Sequence, residues 1–198
     1  MEGLDFFIVG AAKAGTTSLY DVLTRHPEVF LSPIKEPNYF STDIQVEQFC
    51  KAYRNNTFLD LEQYFAQSPL PALQLSFVRN PKQYEQLFEG AKEDQIKGEC
   101  STSYLYSMEA AKNIAQHSPK AKIIICLRDP ISRCLSHYRM ALKYGHVKED
   151  FMNALQLDLN REKKGWGQSE LFIELGQYTD QIKRFQNHFP AEQLHVMF

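Results

Sequence analysis

Long apolar runs are missing from this 198-residue sequence, and no stretch approaches the roughly 20 residues that a membrane-spanning helix needs. A basic excess is missing too. The 22 Lys and Arg residues face 24 Asp and Glu, a formal net charge of −2, which argues against a dedicated nucleic-acid binder. The four cysteines show no Cys-x-x-Cys spacing, and a reducing compartment is favoured. The first residues, Met-Glu-Gly-Leu-Asp, lack the features of a signal peptide, so we expect a cytoplasmic protein.

The apolar residues that are present, 43% of the chain, suffice for one core, and the length suggests a single domain over residues 1–198. Short β-branched and aromatic runs alternate with helical patterns. Strands are predicted at 6–9, 29–31, 122–127 and from 195 onward, and helices near 19–26, 60–66, 81–91, 108–116, 130–143 and 171–189, the last with a break near Gly176. This alternation predicts an α/β fold with a central parallel sheet flanked by helices.

The same patterns also predict a turn, a loop and the orientation of one helix. Residues 98–101 are predicted to turn from a short strand into a polar loop, and the segment through Pro33 and Pro37 is predicted to be a loop. In the helix at 130–143, Asp129 and Pro130 form a good N-cap and first-turn pair. Its apolar residues predict a buried stripe that consists of Ile131, Leu135, Tyr138 and Leu142.

A small-residue loop, Gly10-Ala-Ala-Lys-Ala-Gly-Thr-Thr17, directly follows the first strand and opens the first helix. Small residues let backbone N–H groups surround an anion, and the helix N-terminus adds a favourable dipole. The two glycines have the spacing of the nucleotide triphosphate motif. However, the lysine, Lys13, lies two positions before Gly15 instead of directly after it. The loop therefore predicts a P-loop-type anion site that differs from that of an ATPase.

Residues Lys13–Ser18, placed after a strand, resemble the 5′-phosphosulfate loop of sulfotransferases that use 3′-phosphoadenylyl sulfate (PAPS). Three further segments follow in the order of that family, at 35–40 (Lys-Glu-Pro-Asn-Tyr-Phe), 98–105 (Gly-Glu-Cys-Ser-Thr-Ser-Tyr-Leu) and 127–136 (Leu-Arg-Asp-Pro with Arg133 and Ser136). The sequence is more similar to bacterial and heparan-type carbohydrate sulfotransferases than to the phenol and steroid enzymes. The resemblance implies transfer of a sulfuryl group to a hydroxyl acceptor, which we expect to be a carbohydrate.

The resemblance also implies a donor site for PAPS, with 3′,5′-adenosine diphosphate (PAP) as product and no metal. Its implied binding residues are Lys13, Ala14, Gly15, Thr16, Thr17, Ser18, Arg128 and Ser136. Sulfuryl transfer places negative charge on the bridging oxygen of the leaving group, which suits a fixed cation at Lys13. The planar guanidinium of Arg128 and the Ser136 hydroxyl suit the 3′-phosphate. The alternative for Arg128 is a surface ion pair. Arg133 is interpreted either as an additional phosphate ligand or as a solvated side chain.

Glu36 matches the position of the catalytic glutamate in heparan-type enzymes and is the candidate general base. The alternative is a solvated loop carboxylate next to Lys35. His137 and His146 are rival bases, although neither lies in a matching motif. Glu99 is a candidate second acid or a residue that orders its loop. The aromatic residues interpreted either as acceptor walls or as core are Tyr39, Phe40, Tyr104 and Tyr106.

The sequence departs from the family pattern in two places. Cys100 occupies the position where heparan-type enzymes carry a lysine. The role of that lysine is therefore either unfilled here or taken by Lys35 or Lys97. The sequence also ends at Phe198, without the basic, glycine-containing segment that usually follows. These departures motivate an alternative in which the chain is a silent member that binds a nucleotide or a partner protein. A P-loop kinase is a further alternative, which the lysine placement disfavours.

Overall fold

The computed structural model describes residues 3–57 and 60–198 and confirms the α/β architecture with a central parallel sheet. The strands are β1 (Phe6–Gly10), β2 (Val29–Leu31), β3 (Ile34–Glu36), β4 (Leu73–Leu75), β5 (Ile96–Cys100), β6 (Lys122–Cys126) and β7 (Leu194–Met197). The helices are α1 (Thr16–Leu23), α2 (Lys51–Thr57), α3 (Leu61–Phe65), α4 (Pro81–Gln86), α5 (Ser103–Tyr106), α6 (Ala110–His117), α7 (Pro130–Lys143), α8 (Phe151–Leu159) and α9 (Tyr178–Gln186). Short 3-10 turns occupy Val46–Gln48, Glu174–Gly176 and Ala191–Gln193.

Five strands form the main sheet in the order β2-β5-β1-β6-β7, and every neighbouring pair is parallel. A second, two-stranded parallel sheet joins β3 to β4. Because parallel strands end at the same edge, the residues after β1 and β6 become neighbours there. Ligands of open α/β sheets bind at this carboxyl edge.

The central strand β1 is buried along its whole length, which explains its continuous apolar sequence. Phe7 and Val9 pack into the larger core cluster, whereas Phe6 and Ile8 pack into a second cluster on the other face. Gly98 lies beside Phe6 in the sheet, and a Cβ atom there would lie 2.3 Å from the Phe6 ring. A glycine at this point of β5 is therefore required by the close approach of the ring.

Several local predictions need correction. The segment after Pro33 is not a loop, because Ile34–Glu36 pairs with β4. Residues 98–100 belong to strand β5 and not to a turn. Helix α4 ends at Gln86, shorter than predicted. The last helix begins only at Tyr178, because residues 171–177 form irregular backbone and a 3-10 turn.

Helix α7 begins as predicted, with the Asp129 carboxylate accepting a hydrogen bond from the Ser132 N–H. Its predicted buried stripe is wrong at both ends, whereas the middle residues Leu135 and Tyr138 are half-buried. Ile131 is 75% exposed and Leu142 is 40% exposed, while the buried residues are Arg133, Cys134, His137 and Ala141. The buried face of the helix differs from the predicted one because two polar side chains, Arg133 and His137, face inward and find partners there. The described helices include none with the length and apolarity of a membrane span.

Candidate active site

The loop after β1 has the backbone of an anion-binding turn. Gly10, Lys13 and Gly15 all adopt positive φ angles, of 150°, 68° and 89°. The Ala11 N–H donates to the Cys126 carbonyl oxygen over 2.6 Å and so ties the loop to the end of β6. Helix α1 starts with no side-chain cap, and a Cβ atom at Gly15 would meet nothing within 4 Å. The N–H groups of the first turn therefore have no side-chain cap, and the space beside Gly15 is open to a bound anion.

The predicted loop residues differ in exposure. Thr16 is buried, Ala14 is half-buried, and Gly15, Thr17 and Ser18 are exposed. The Thr17 and Ser18 side chains therefore lie on the solvent side of the helix start. Thr16 instead lies under the loop.

The Lys13 ammonium lies in a partly desolvated and predominantly cationic environment. Its Nζ atom is 3.5 Å from the Met140 sulfur on α7. Burial lowers the pKa of Lys13, and Lys35, Arg128 and Lys143 lower it further, whereas Glu36 raises it. Several positive charges held together in this way favour an anion between them.

Arg128 follows β6 and lies next to the loop, as predicted. Its guanidinium donates to the Lys13 carbonyl oxygen over 3.4 Å, although 115 residues separate the two. The Tyr178 hydroxyl donates to the Arg128 carbonyl oxygen over 2.9 Å and so joins α9 to the same corner. Arg128 is exposed, so its remaining donors are accessible.

Ser136 is half-buried on α7, one turn before Met140. Residues four apart lie on the same face of a helix, and Met140 contacts Lys13. Ser136 therefore lies on the face of α7 that is directed toward the loop. Lys13, Arg128 and Ser136 are thus brought to one corner of the sheet edge.

Glu36 ends β3 and approaches the same corner from the smaller sheet. Lys35 Nζ lies 2.7 Å from its Oε1 atom, and the Thr102 hydroxyl donates to its Oε2 atom over 2.9 Å. The side chains of Lys35 and Glu36 are only 4% and 13% exposed. The interpretation of Glu36 as a solvated loop carboxylate is therefore wrong, because it belongs to a mostly buried ion pair.

Comparison with known proteins identifies the family. A family model described as "Sulfotransferase family" matches residues 5–170. The chain belongs to the sulfotransferase family. A crystal structure of a sulfotransferase from Alicyclobacillus acidocaldarius is 28% identical, with a TM-score of 0.77, and the alignment covers 100% of this chain and 73% of that one.

Curated relatives include mouse carbohydrate sulfotransferase 15, 29% identical over 77% of this chain. They also include the human bifunctional heparan sulfate N-deacetylase/N-sulfotransferase 3, 28% identical over 97% of this chain, and mouse heparan sulfate glucosamine 3-O-sulfotransferase 3A1, 24% identical over 94%. The matched regions span 30%, 20% and 38% of these three relatives, respectively.

In this sulfotransferase-family chain, Glu99 is fully buried behind Glu36. The hydroxyls of Tyr84 and Ser101 donate to its two oxygens over 2.5 Å and 2.8 Å. Burial raises the pKa of Glu99 to about 7, against these hydrogen bonds, which lower it. Ser101 in turn accepts the Asn38 N–H, so Glu99 orders the turn that follows Glu36.

The position at Cys100 is buried, and burial raises the pKa of its thiol while Lys35 opposes that shift. Lys35 therefore lies close enough to Cys100 to interact with it electrostatically. Lys97 instead pairs its backbone with Asp5 at the opposite edge of the sheet. Of the two candidate replacements for the family lysine, the structure brings Lys35 to the site and leaves Lys97 away from it.

Arg133 is neither a phosphate ligand nor a solvated side chain. It is fully buried, donates to the Phe172 carbonyl oxygen and lies 3.4 Å from His137 Nδ1. Gly176 packs against it, and a Cβ atom at Gly176 would lie 3.4 Å from the Arg133 Nε atom. Arg133 therefore fixes the irregular segment after α8 against α7.

The two histidines that rivalled Glu36 belong to a separate buried cluster. Glu170 lies 3.5 Å from His137 Nε2 and 3.4 Å from His146 Nδ1. Burial lowers the pKa of His137. Within residues 3–57 and 60–198, no group of three or more His, Cys, Asp and Glu side chains is arranged to hold a metal ion.

The four aromatic residues predicted as acceptor walls or core differ in their surroundings. Phe40 and Tyr104 are buried in the core. Tyr39 is half-buried and stacks on Tyr84 with ring centroids 4.0 Å apart. Tyr106 is half-buried and lines a cavity.

That cavity has a volume of about 430 Å³. It lies between the segment after β3, the end of α5, the loop at 164–168 and the start of α9. Two residues that are adjacent in sequence to lining residues contact the loop site. The Leu105 side chain, next to Tyr106, packs against Gly10, and Tyr178, next to the lining residue Gln177, contacts Arg128. Trp166 lines the cavity and packs 5.9 Å from the Tyr106 ring. Sequence patterns missed this cavity, and the lone tryptophan between Gly165 and Gly167 was the available signal.

Proposed function

We propose that this chain transfers a sulfuryl group from PAPS to a hydroxyl group of a carbohydrate. The observation that carries the proposal is the contact between Arg128 and the Lys13 loop, because it joins two cations from separate strand ends at one site. A donor with phosphates at both ends of its ribose needs two such anchors. The family match and the carbohydrate sulfotransferase relatives support the same class of reaction.

The residues at the site fit such a donor. The uncapped start of α1, with the N–H groups of Gly15–Ser18 and the Thr17 and Ser18 hydroxyls, would hold the 5′-phosphate. Ala14 would supply backbone contact, and the buried Thr16 would support the loop from below. Arg128 and Ser136 would hold the 3′-phosphate. The donor supplies an activated sulfuryl group, so the reaction needs fixed charge and alignment.

Lys13 would stabilise the negative charge that develops on the bridging oxygen as its bond to sulfur breaks. Glu36 would accept the proton that the acceptor hydroxyl loses as its oxygen forms the new bond to sulfur. Each Glu36 oxygen keeps acceptor capacity beyond its present partner, because a carboxylate oxygen has two lone pairs. Lys35 and Thr102 would act as positioning residues that aim the carboxylate.

The acceptor would bind in the cavity next to Tyr106. Its lining of amide, acidic and aromatic side chains provides hydrogen-bond partners and ring faces for a sugar. Under this proposal the cavity and the loop hold the acceptor and the donor of one reaction.

The test is sulfur-35 transfer from labelled PAPS into a panel of carbohydrate acceptors, together with the shift in melting temperature caused by PAP. Transfer, together with stabilisation by PAP, is expected. Stabilisation by PAP without transfer to any acceptor would favour the silent-member alternative. Stabilisation by ATP with magnesium and not by PAP would favour the kinase alternative, which the family match does not support.

A further inference from the structure

Three acidic and two basic side chains line the cavity next to Tyr106. The acidic residues are Asp43, Glu174 and Asp180, and the basic residues are Lys164 and Arg184. Lys164 Nζ pairs with Glu174 Oε1 at 2.5 Å. The positive charge of Lys164 is therefore already balanced by an acid of the same lining.

Arg184 is the cation that is held most firmly. It donates to the carbonyl oxygens of Leu105 and Tyr106 over 2.9 Å and 3.0 Å. Burial lowers the pKa of Arg184, while Asp43 and Asp180 oppose that shift, so both acids interact with its charge. Two backbone carbonyl oxygens therefore take up donors of this guanidinium, and two acids of the lining act on its charge.

Glu174 contributes a negative charge to the cavity wall. Its Oε1 atom pairs with Lys164, whereas its Oε2 atom is buried and makes no hydrogen bond within the described part of the chain. The carboxylate charge of Glu174 at the cavity wall disfavours a second carboxylate or a sulfate beside it. The other polar lining side chains include the glutamines Gln45, Gln48, Gln168, Gln177 and Gln181, which can both donate and accept.

We infer that this cavity selects an acceptor sugar that carries no anionic group. The inference rests on the proposed function, since it takes the cavity to be the acceptor site, and it adds the charge class of the acceptor. A polyanionic chain requires uncommitted cations along its path. Here Lys164 is paired with Glu174, Arg184 donates to two backbone carbonyl oxygens, and the three acids of the lining outnumber its two cations.

Trp166 provides a direct measurement, because it is the single tryptophan of the sequence and lines the cavity. The full chain, saturated with PAP, is titrated with neutral tetrasaccharides (chitotetraose, cellotetraose and mannotetraose) and with a hyaluronan tetrasaccharide of the same length that carries carboxylates. We expect a saturable fluorescence change with at least one neutral tetrasaccharide. We expect hyaluronan to bind at least tenfold more weakly. Equal or tighter binding of hyaluronan, or no binding of any neutral sugar, would overturn the inference.

Asp180→Lys tests the charge argument at a position whose side chain is 85% exposed, where folding is not at risk. It should strengthen binding of the hyaluronan tetrasaccharide by about threefold to tenfold at low salt, and added salt should reduce the gain. Glu89→Lys, an equal charge change at an exposed residue after α4 and outside the cavity lining, should change neither titration. An unchanged hyaluronan affinity in Asp180→Lys would contradict the inference.

Failure of the inference and failure of the proposed function give different results. Sulfuryl transfer to an anionic acceptor, with PAP binding intact, would overturn the inference and leave the transferase function standing. A neutral-sugar preference without any transfer would overturn the function and leave the measured selectivity of the cavity.

Discussion

Thr102 donates a hydrogen bond to Glu36 over 2.9 Å across 66 residues of sequence, and in doing so links the segment after β5 to the small β3–β4 sheet. Lys35 holds the other oxygen of the same carboxylate. Glu36 is thus held from both sides while it interacts electrostatically with Lys13. A carboxylate in this position can receive a proton near a fixed cation, which makes its substitution informative.

Glu36→Gln should bind PAP as the wild type does and lose about 10²- to 10⁴-fold in the rate of sulfuryl transfer, because the amide cannot accept the proton. Calorimetric titration with PAP and sulfur-35 transfer measure the two effects separately. Glu89→Gln, an exposed acid outside the site, serves as the matched control. Full transfer activity in Glu36→Gln would exclude the base role.

Lys13→Ala should lower the transfer rate by about 10²- to 10³-fold, because a preorganised donor to the leaving oxygen is lost.

Arg128→Ala should weaken PAP binding by about tenfold to a hundredfold, the usual effect of losing charge-assisted hydrogen bonds. Lys120→Ala, an exposed cation in the turn before β6, is the control for a change of net charge. Wild-type PAP affinity in Arg128→Ala would show that the 3′-phosphate is held elsewhere.

Glu99 makes folding stability depend on pH. The usual pKa of its carboxyl is 4.5 and burial raises it to about 7 in the folded chain. The folded state therefore binds the proton more tightly, so the contribution to stability is complete below pH 4.5 and is lost as the pH rises through 7. Relative to Glu99→Gln, the wild type should lose about 2 to 3 kcal/mol of unfolding free energy between pH 5 and pH 8.

Urea unfolding at pH 5 and pH 8 measures this difference, and the glutamine variant is compared at both values so that other titrating groups cancel. The variant keeps the shape of the side chain and an acceptor for Tyr84 or Ser101. Parallel stability curves for the two proteins would mean that Glu99 is ionised at neutral pH in the folded chain.

Gly98→Ala should destabilise the fold by about 1 to 3 kcal/mol, because the added methyl group would lie 2.3 Å from the Phe6 ring in the middle of the sheet. Gly90→Ala is a matched control, since its methyl group would lie 3.4 Å from the Phe30 ring outside any strand. Chemical denaturation compares the two. Similar unfolding midpoints for both variants would contradict the packing argument.

The parts of the fold that sequence patterns predicted correctly are those with local causes. β1 is an apolar run buried on both faces, β6 is apolar and mostly buried after Lys122, and the Asp129 side chain caps α7 from the position before its first residue. The loop after β1 is likewise defined by its own glycines and lysine. Such signals lie within a few residues of the structure they produce.

The segment at 171–177 was predicted wrongly because its backbone partners are distant in sequence. The Asp158 carboxylate accepts the N–H groups of Glu170 and Phe172, and Arg133 donates to the Phe172 carbonyl oxygen. These side chains satisfy groups that a helix would otherwise pair. Apolar spacing alone could not reveal an arrangement that depends on a buried arginine and a buried aspartate.

The same buried polar groups explain the rotation of α7. The prediction placed its apolar residues inward, whereas Arg133 and His137 occupy the interior and leave Ile131 exposed. The cavity beside Tyr106 was also beyond local patterns, since its walls come from segments near 45, 106, 166 and 180. The candidate residues of the loop, in contrast, were all named from sequence.

Glu36 and Lys13 rest on different hydrogen-bonded ladders, since β3 pairs with β4 in the small sheet and β1 belongs to the five-stranded sheet. Two side-chain contacts, from Lys35 and Thr102, hold the carboxylate at this seam. A substitution in β3 or β4 would therefore reach the carboxylate through these two contacts, without altering the backbone hydrogen bonds of the strand that precedes Lys13.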